Sequence, residues 1–68
     1  MKEFEVFLKK CIEAKNENNS VNYISIDSNE RIIVEKLKKE QYIDNVRPIG
    51  PKAIGLDLTY AGLHYFDE

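Results

Sequence analysis

The chain has one cysteine, Cys11, one histidine, His64, two prolines, three glycines and no tryptophan. A single cysteine excludes an intramolecular disulfide and suits a reducing compartment, so a cytoplasmic location is expected. His64 stands far in sequence from Cys11, and the acids near it are the terminal Asp67 and Glu68. That is no metal-ligand set, and neither a metal nor another cofactor is expected. Gly50, Gly55 and Gly62 lack the tight spacing of a phosphate loop or dinucleotide fingerprint, and instead suit turns and close packing. No apolar run approaches transmembrane length, and Met1 to Lys10 mixes acids and lysines with its apolar residues, unlike a signal peptide. Membrane insertion and export are therefore not expected. Neither paired carboxylates nor a nucleophile with a nearby base can be assembled, so the chain reads as neither an enzyme nor a binder of small-molecule substrates.

What is present is an ordinary globular composition, 43% hydrophobic and 32% charged over 68 residues. Residues 1–68 make one domain, and a domain of this size buries about 60% of the surface of its unfolded chain. The net charge of −2 is a poor start for nonspecific binding to nucleic acid or anionic lipid. Its distribution is uneven. Between Arg31 and Lys52 the bases Arg31, Lys36, Lys38, Lys39, Arg47 and Lys52 outnumber the acids Glu35, Glu40 and Asp44, leaving the acidic excess to the flanks.

Phe4, Phe7, Leu8, Cys11 and Ile12 fall at helical spacing and predict an amphipathic helix from Glu3 to Lys15 with one apolar stripe. Asn16 to Ser20 should end it, because Asn and Ser favour turns and caps. Val21 to Ile26 reads as a short extended segment. Asp27 with Glu30 matches a capping box and predicts a second helix, lined inward by Ile33, Val34 and Leu37 and ending near Gln41. Tyr42 to Val46 suits a strand, and Ile54, Leu56 and Leu58 alternate with Gly55 and Asp57 in the period of a half-buried strand. Together they predict a hairpin. Pro48, Gly50 and Pro51 between them predict failed pairing and an exposed loop. Thr59 is placed to cap a last helical turn in which Leu63 and Phe66 share a side.

The order helix, extended segment, helix, hairpin and terminal helix is an α+β arrangement that resembles a small winged helix. Leu37 to Ile43, reading L-K-K-E-Q-Y-I, and Leu58 to Phe66, reading L-T-Y-A-G-L-H-Y-F, resemble the YjcQ-like group of small bacterial and phage-associated winged-helix proteins. In that group a leucine-lysine-rich helix is followed by an aromatic-aliphatic pair opening the wing, which ends in a Thr-x-x-Gly helix start. Leu37, Tyr42, Ile43, Thr59 and Gly62 take those places here. The resemblance implies a winged-helix fold and a phage or mobile-element type, and the local basic excess between Arg31 and Lys52 makes a regulator that contacts duplex DNA the leading expectation. Two departures stand out. Winged helices commonly place glycine, in a left-handed conformation, where this chain has Gln41, so the helix is expected to end differently. Only Asn16 to Ile26 separates the two main helices, which hardly leaves room for the positioning helix of a helix-turn-helix.

Arg31, Lys38 and Lys39 on the second helix, with Arg47 and Lys52 flanking the wing tip, are candidate phosphate contacts on duplex DNA. Asn29 near the helix start is a candidate for a base edge. Set against this, Glu30, Glu35 and Glu40 interleave with the bases, as they would on a merely solvated face. The alternative is a protein-interaction module, a homodimer among its forms, whose wing tip Pro48, Ile49, Pro51 and Ile54 offers an apolar handle. Tyr23, Tyr42, Tyr60, Tyr65, Phe4, Phe7 and Phe66 could anchor a partner, but a core this small needs most of them. Cys11, on the apolar stripe, reads as an inert core thiol, and His64 as structural or surface.

Overall fold

The computed structural model describes residues 2–67. Three helices and a three-stranded antiparallel sheet follow the order α1 (Glu3–Ala14), β1 (Ser20–Ser25), α2 (Ser28–Lys39), β2 (Ile43–Gly50), β3 (Ala53–Leu58) and α3 (Tyr60–Leu63). The sheet order is β1-β3-β2, with both pairings antiparallel. Among the described residues no helix is long and apolar enough to cross a membrane.

α1 buries Phe7, Leu8 and Cys11 and half-buries Phe4 and Ile12, the expected stripe. Lys2 carries no acceptor for the first orphan donors, so the start is fixed from the other direction: the Glu5 carboxylate accepts the Lys2 backbone N–H at 3.0 Å. The loop after α1 is organised by the Asn16 side chain, which accepts the N–H groups of Asn18 and Ser20 at 2.8 and 3.1 Å. Asp27 and Glu30 form the reciprocal capping box of α2, at 2.8 and 3.0 Å.

α2 ends in a left-handed residue after all. Gln41 has φ 65°, and the Tyr42 and Gln41 N–H groups reach back to the carbonyls of Leu37 and Lys38 at 2.9 and 3.1 Å. This is a Schellman closure, which satisfies the last carbonyls of the helix and places Tyr42 over its final apolar turn. The hydrogen bonds hold Gln41 where glycine would sit without strain. Gln41→Gly is therefore expected to raise stability by about 1 kcal/mol, a rise in Tm of about 4–8 °C. Thermal unfolding followed by circular dichroism checks this, and an unchanged or lowered Tm would refute it.

β3, the central strand, sends Ile54, Leu56 and Leu58 to the helices, where they join Val21, Ile24 and Ile43 from the sheet, Phe7, Leu8 and Cys11 from α1, and Val34 and Leu37 from α2. The other sheet face carries Ser20, Ser25, Asp44, Arg47, Ile49 and Asp57, all partly or fully open to solvent, so no element covers it. Gly55 is nevertheless buried, because the Arg47 and Ile49 side chains close over it. That removes the half-buried alternation expected of β3.

The connection from β2 to β3 is tighter than the exposed loop that the prolines predict. Pairing continues through Pro48 opposite Ile54 to Gly50 opposite Ala53, leaving only Pro51 and Lys52 as the turn. The ladder tolerates Pro48 because β2 is an edge strand, where a missing N–H need not face a partner. β2 also takes up an extra residue in two places, between Asp44 and Arg47 and between Pro48 and Gly50. The first bulge contains Asn45 at φ 49°, a conformation that asparagine tolerates better than most residues. β1 is bulged between Val21 and Ile24, leaving both Asn22 and Tyr23 outside.

The start of α3 is locked to the end of α2. The Thr59 hydroxyl accepts the Gly62 N–H at 3.1 Å, as a cap should, and donates to the Gln41 carbonyl at 2.6 Å. Gly62 then lies directly against the Tyr42 carbonyl, with no space for a side chain. Leu63 packs on the core, whereas Phe66 lies beyond the helix and is exposed, so the two do not pack together as expected. Tyr65 does that work instead. Its ring meets Phe4 and Tyr42 edge-on, with centroids at 5.8 and 5.2 Å, and its hydroxyl donates to Glu5 at 3.1 Å. Burial and the Glu5 carboxylate raise the Tyr65 phenol above the usual tyrosine range. The Lys2 N–H, helped by the Tyr65 hydroxyl, holds the Glu5 carboxyl below the usual glutamate range.

Candidate nucleic-acid interface

A helix turns about 100° per residue, so once Val34 and Leu37 face inward the remaining positions of α2 are assigned. Arg31, Glu35 and Lys38 run along one flank. Ile32 and Lys39, seven apart, form the ridge farthest from the core, while Asn29, Ile33 and Lys36 fall on the opposite flank, toward α1. The six candidate residues therefore do not form one patch.

Asn29 lines a cleft between α1 and α2 with Glu3, Val6, Asp27 and Glu30, an acidic neighbourhood on the far side of the helix from Arg31 and Lys38. Lys10 bridges this end by pairing with Glu30 at 3.4 Å. Lys36 extends along α1 with its ammonium 4.9 Å from the centre of the Phe4 ring. The Arg31 guanidinium donates to the Pro51 carbonyl and so ties α2 to the β2–β3 turn. Lys52 is exposed in that turn, as is Pro51, and the Lys52 carbonyl accepts the Ile26 N–H at 2.9 Å. Lys38 borders a shallow groove shared with Gln41, Thr59 and Tyr60.

Arg47 belongs to a different surface. It crosses the open sheet face to Asp57 at 3.4 Å and donates to the Asn45 carbonyl at 2.8 Å. Asp57 also accepts from the Ser20 hydroxyl and, at 2.9 Å, from the Asn45 amide, so one carboxylate joins all three strands. Those two hydrogen bonds, and then the Arg47 charge, hold the Asp57 carboxyl below the usual aspartate range. Such an arrangement favours Arg47 as a sheet clasp over Arg47 as a phosphate contact, because leaving Asp57 forfeits a charge-assisted bond.

The wing-tip set is also revised. Ile54 points into the core and is only 6% exposed, so it cannot form part of a partner surface. Its alternation with Gly55 put it on the same face as Leu56 and Leu58, and the core lies on that face. Ile49 does remain out, at 50% exposure, and lines a surface groove with Tyr23, Ser25, Pro51 and Ala53. Tyr23, at 63%, is the neighbour that sequence reasoning did not place there, since the β1 bulge that turns it outward leaves no mark in local composition.

Ile32 is a second omission, 72% exposed at the middle of α2. Here a signal existed: three consecutive apolar residues, Ile32, Ile33 and Val34, cannot all face one core when each step rotates about 100°. Of the aromatic residues, Tyr60 and Phe66 also stand outside, while Phe7 lies in the core and Phe4, Tyr42 and Tyr65 pack against it, so the core takes up four of the seven. His64 pairs with Asp67, Nδ1 to Oδ2 at 2.5 Å, and its ring lies against Tyr60 with centroids 4.3 Å apart. Cys11 is fully buried, and burial pushes its thiol up to about 12. No helix lies between α1 and α2, where a helix-turn-helix would carry its positioning helix. No known protein family, curated protein or solved structure matches this chain.

Proposed function

We propose that this chain is a small, non-enzymatic binding domain of winged-helix type that regulates by contacting duplex DNA through α2 and the β2–β3 turn. The observation that carries this reading is the row of exposed cations Arg31, Lys38 and Lys39 along α2, which Lys52 extends because Arg31 holds the turn beside the helix. Cations so placed gain affinity by releasing counterions condensed on phosphates. The sheet order β1-β3-β2 and the YjcQ-like pattern at Leu37 to Ile43 and Leu58 to Phe66 support the winged-helix part of this reading, and a buried Cys11 suits the reducing cytoplasm expected for it.

The test is an amide NMR titration with mixed-sequence duplex DNA at low and moderate salt. Shifts should concentrate in residues 31–39 and around Lys52, and weaken with salt. Lys38→Ala and Lys39→Ala should each reduce the slope of log affinity against log salt by about 0.9. Unchanged binding in both variants would sink the reading.

One observation favours a second reading, self-association through the uncovered sheet face. Tyr23 and Ile49 expose apolar surface together there, while Arg47 is drawn aside to Asp57. A spectrum indifferent to DNA that sharpens on dilution, with the changes centred on Tyr23 and Ile49, would select this alternative.

A further inference from the structure

We infer that Ile32 gives α2 a preference for thymine, by packing on the 5-methyl group in the major groove. The inference rests on the DNA reading above and goes beyond phosphate contact to the base that is read. Ile32 is the most outward large apolar side chain of α2, 72% exposed, on the ridge shared with Lys39 and beside the flank of Arg31 and Lys38.

Stability does not account for it there. A β-branched residue in an exposed helical position loses side-chain freedom, and Ile32, 72% exposed, recovers little burial in return. The other exposed positions of α2 carry polar or charged residues, so Ile32 is the exception on its own helix. With α2 laid in the major groove, the ridge opposite the core meets the base edges while Arg31 and Lys38 on one flank meet the adjacent phosphates. An isoleucine has no hydrogen-bonding atom to offer. On the major-groove edges of the four bases the apolar group that it can recognise is the thymine methyl.

The experiment selects the best-retained sequences from a pool of randomised duplexes with the full chain, then replaces each thymine in them by deoxyuridine, which removes the methyl alone. At least one replacement should weaken wild-type binding about fourfold, the value of one methyl group withdrawn from apolar contact. Ile32→Ala, which should fold because alanine is the better helix former at an exposed site, should bind the thymine and deoxyuridine duplexes equally. Thymine positions that are all indifferent in the wild type, or equally sensitive in Ile32→Ala, would overturn the inference. Salt-dependent retention without sequence preference would overturn it while leaving the phosphate contacts standing. A pool from which nothing is retained would overturn both.

Discussion

Gly62→Ala is expected to destabilise the domain by about 3 kcal/mol, the upper end of the usual cost of overpacking a close contact. The added methyl would overlap the Tyr42 carbonyl, and the obstacle is backbone, not the free end of a side chain. Relief requires moving either α3 or the peptide of Tyr42. The first is held by Thr59, whose hydroxyl bonds both Gly62 and Gln41, and the second by the Schellman closure of α2. The helix-forming advantage of alanine over glycine, about 1 kcal/mol in a long helix, counts for less in the four residues of α3. A domain this small has only a few kcal/mol in hand. The melting temperature should fall by about 15 °C. Gly50 is the control, since nothing lies within 4 Å of the place a methyl would take there and its φ is not positive. Gly50→Ala should be neutral or slightly stabilising. If both variants melt together with the wild type, the tight joint between α2 and α3 does not exist.

Cys11 should make stability fall steeply in alkali. Its thiol is raised from an ordinary value near 9 to about 12, chiefly by burial, with the nearby Lys10 charge acting the other way. The folded state therefore holds the proton more tightly than the unfolded chain does. The contribution is fully present below pH 9 and is lost as the pH rises from 9 toward 12. Between pH 9 and 11 the wild type should lose about 2–3 kcal/mol more than Cys11→Ala, which has no thiol to ionise. Tyr65, also raised, contributes in the same direction but is common to both proteins, so the difference isolates Cys11. Urea unfolding at a series of pH values measures it, and parallel curves for the two proteins would show that the thiol is not buried. The same burial predicts that a thiol reagent at pH 8 modifies the native protein at least about a thousandfold more slowly than the unfolded one, since reaction must await opening.

Much of the fold was legible because it is written in local chemistry. The apolar stripe of α1, the Asp27–Glu30 box, the Thr59 cap and the apolar period of β3 each depend on residues within a few positions of one another. Features that depend on distant neighbours were not legible. Pro48 predicted an open loop because proline cannot donate to a ladder, but its place on an edge strand follows from the order of three strands in space. Gln41 predicted a different helix end because a non-glycine residue resists positive φ. Hydrogen bonds to Leu37 and Lys38, with Thr59 on its carbonyl, offset that strain.

The candidate interface divides in the same way. That α2 would expose Arg31, Lys38 and Lys39 follows from helical spacing alone, as does the outward position of Ile32. That Asn29 lies on the far flank beside Glu30 required the packing of α1, and that Arg47 clasps Asp57 required β2 and β3 to pair in a bulged register.

The sequence by itself determined an α+β chain of short elements, with their order, the Asp27 and Thr59 caps and the inward stripes of α1 and α2, because these depend on periodicity and on hydrogen bonds between near neighbours. The tertiary structure decided which strand is central, which prolines stay in the ladder, which cations are already paired and which apolar residues remain in water. Those outcomes depend on contacts between residues far apart in the chain, where local pattern carries no information about partner or register.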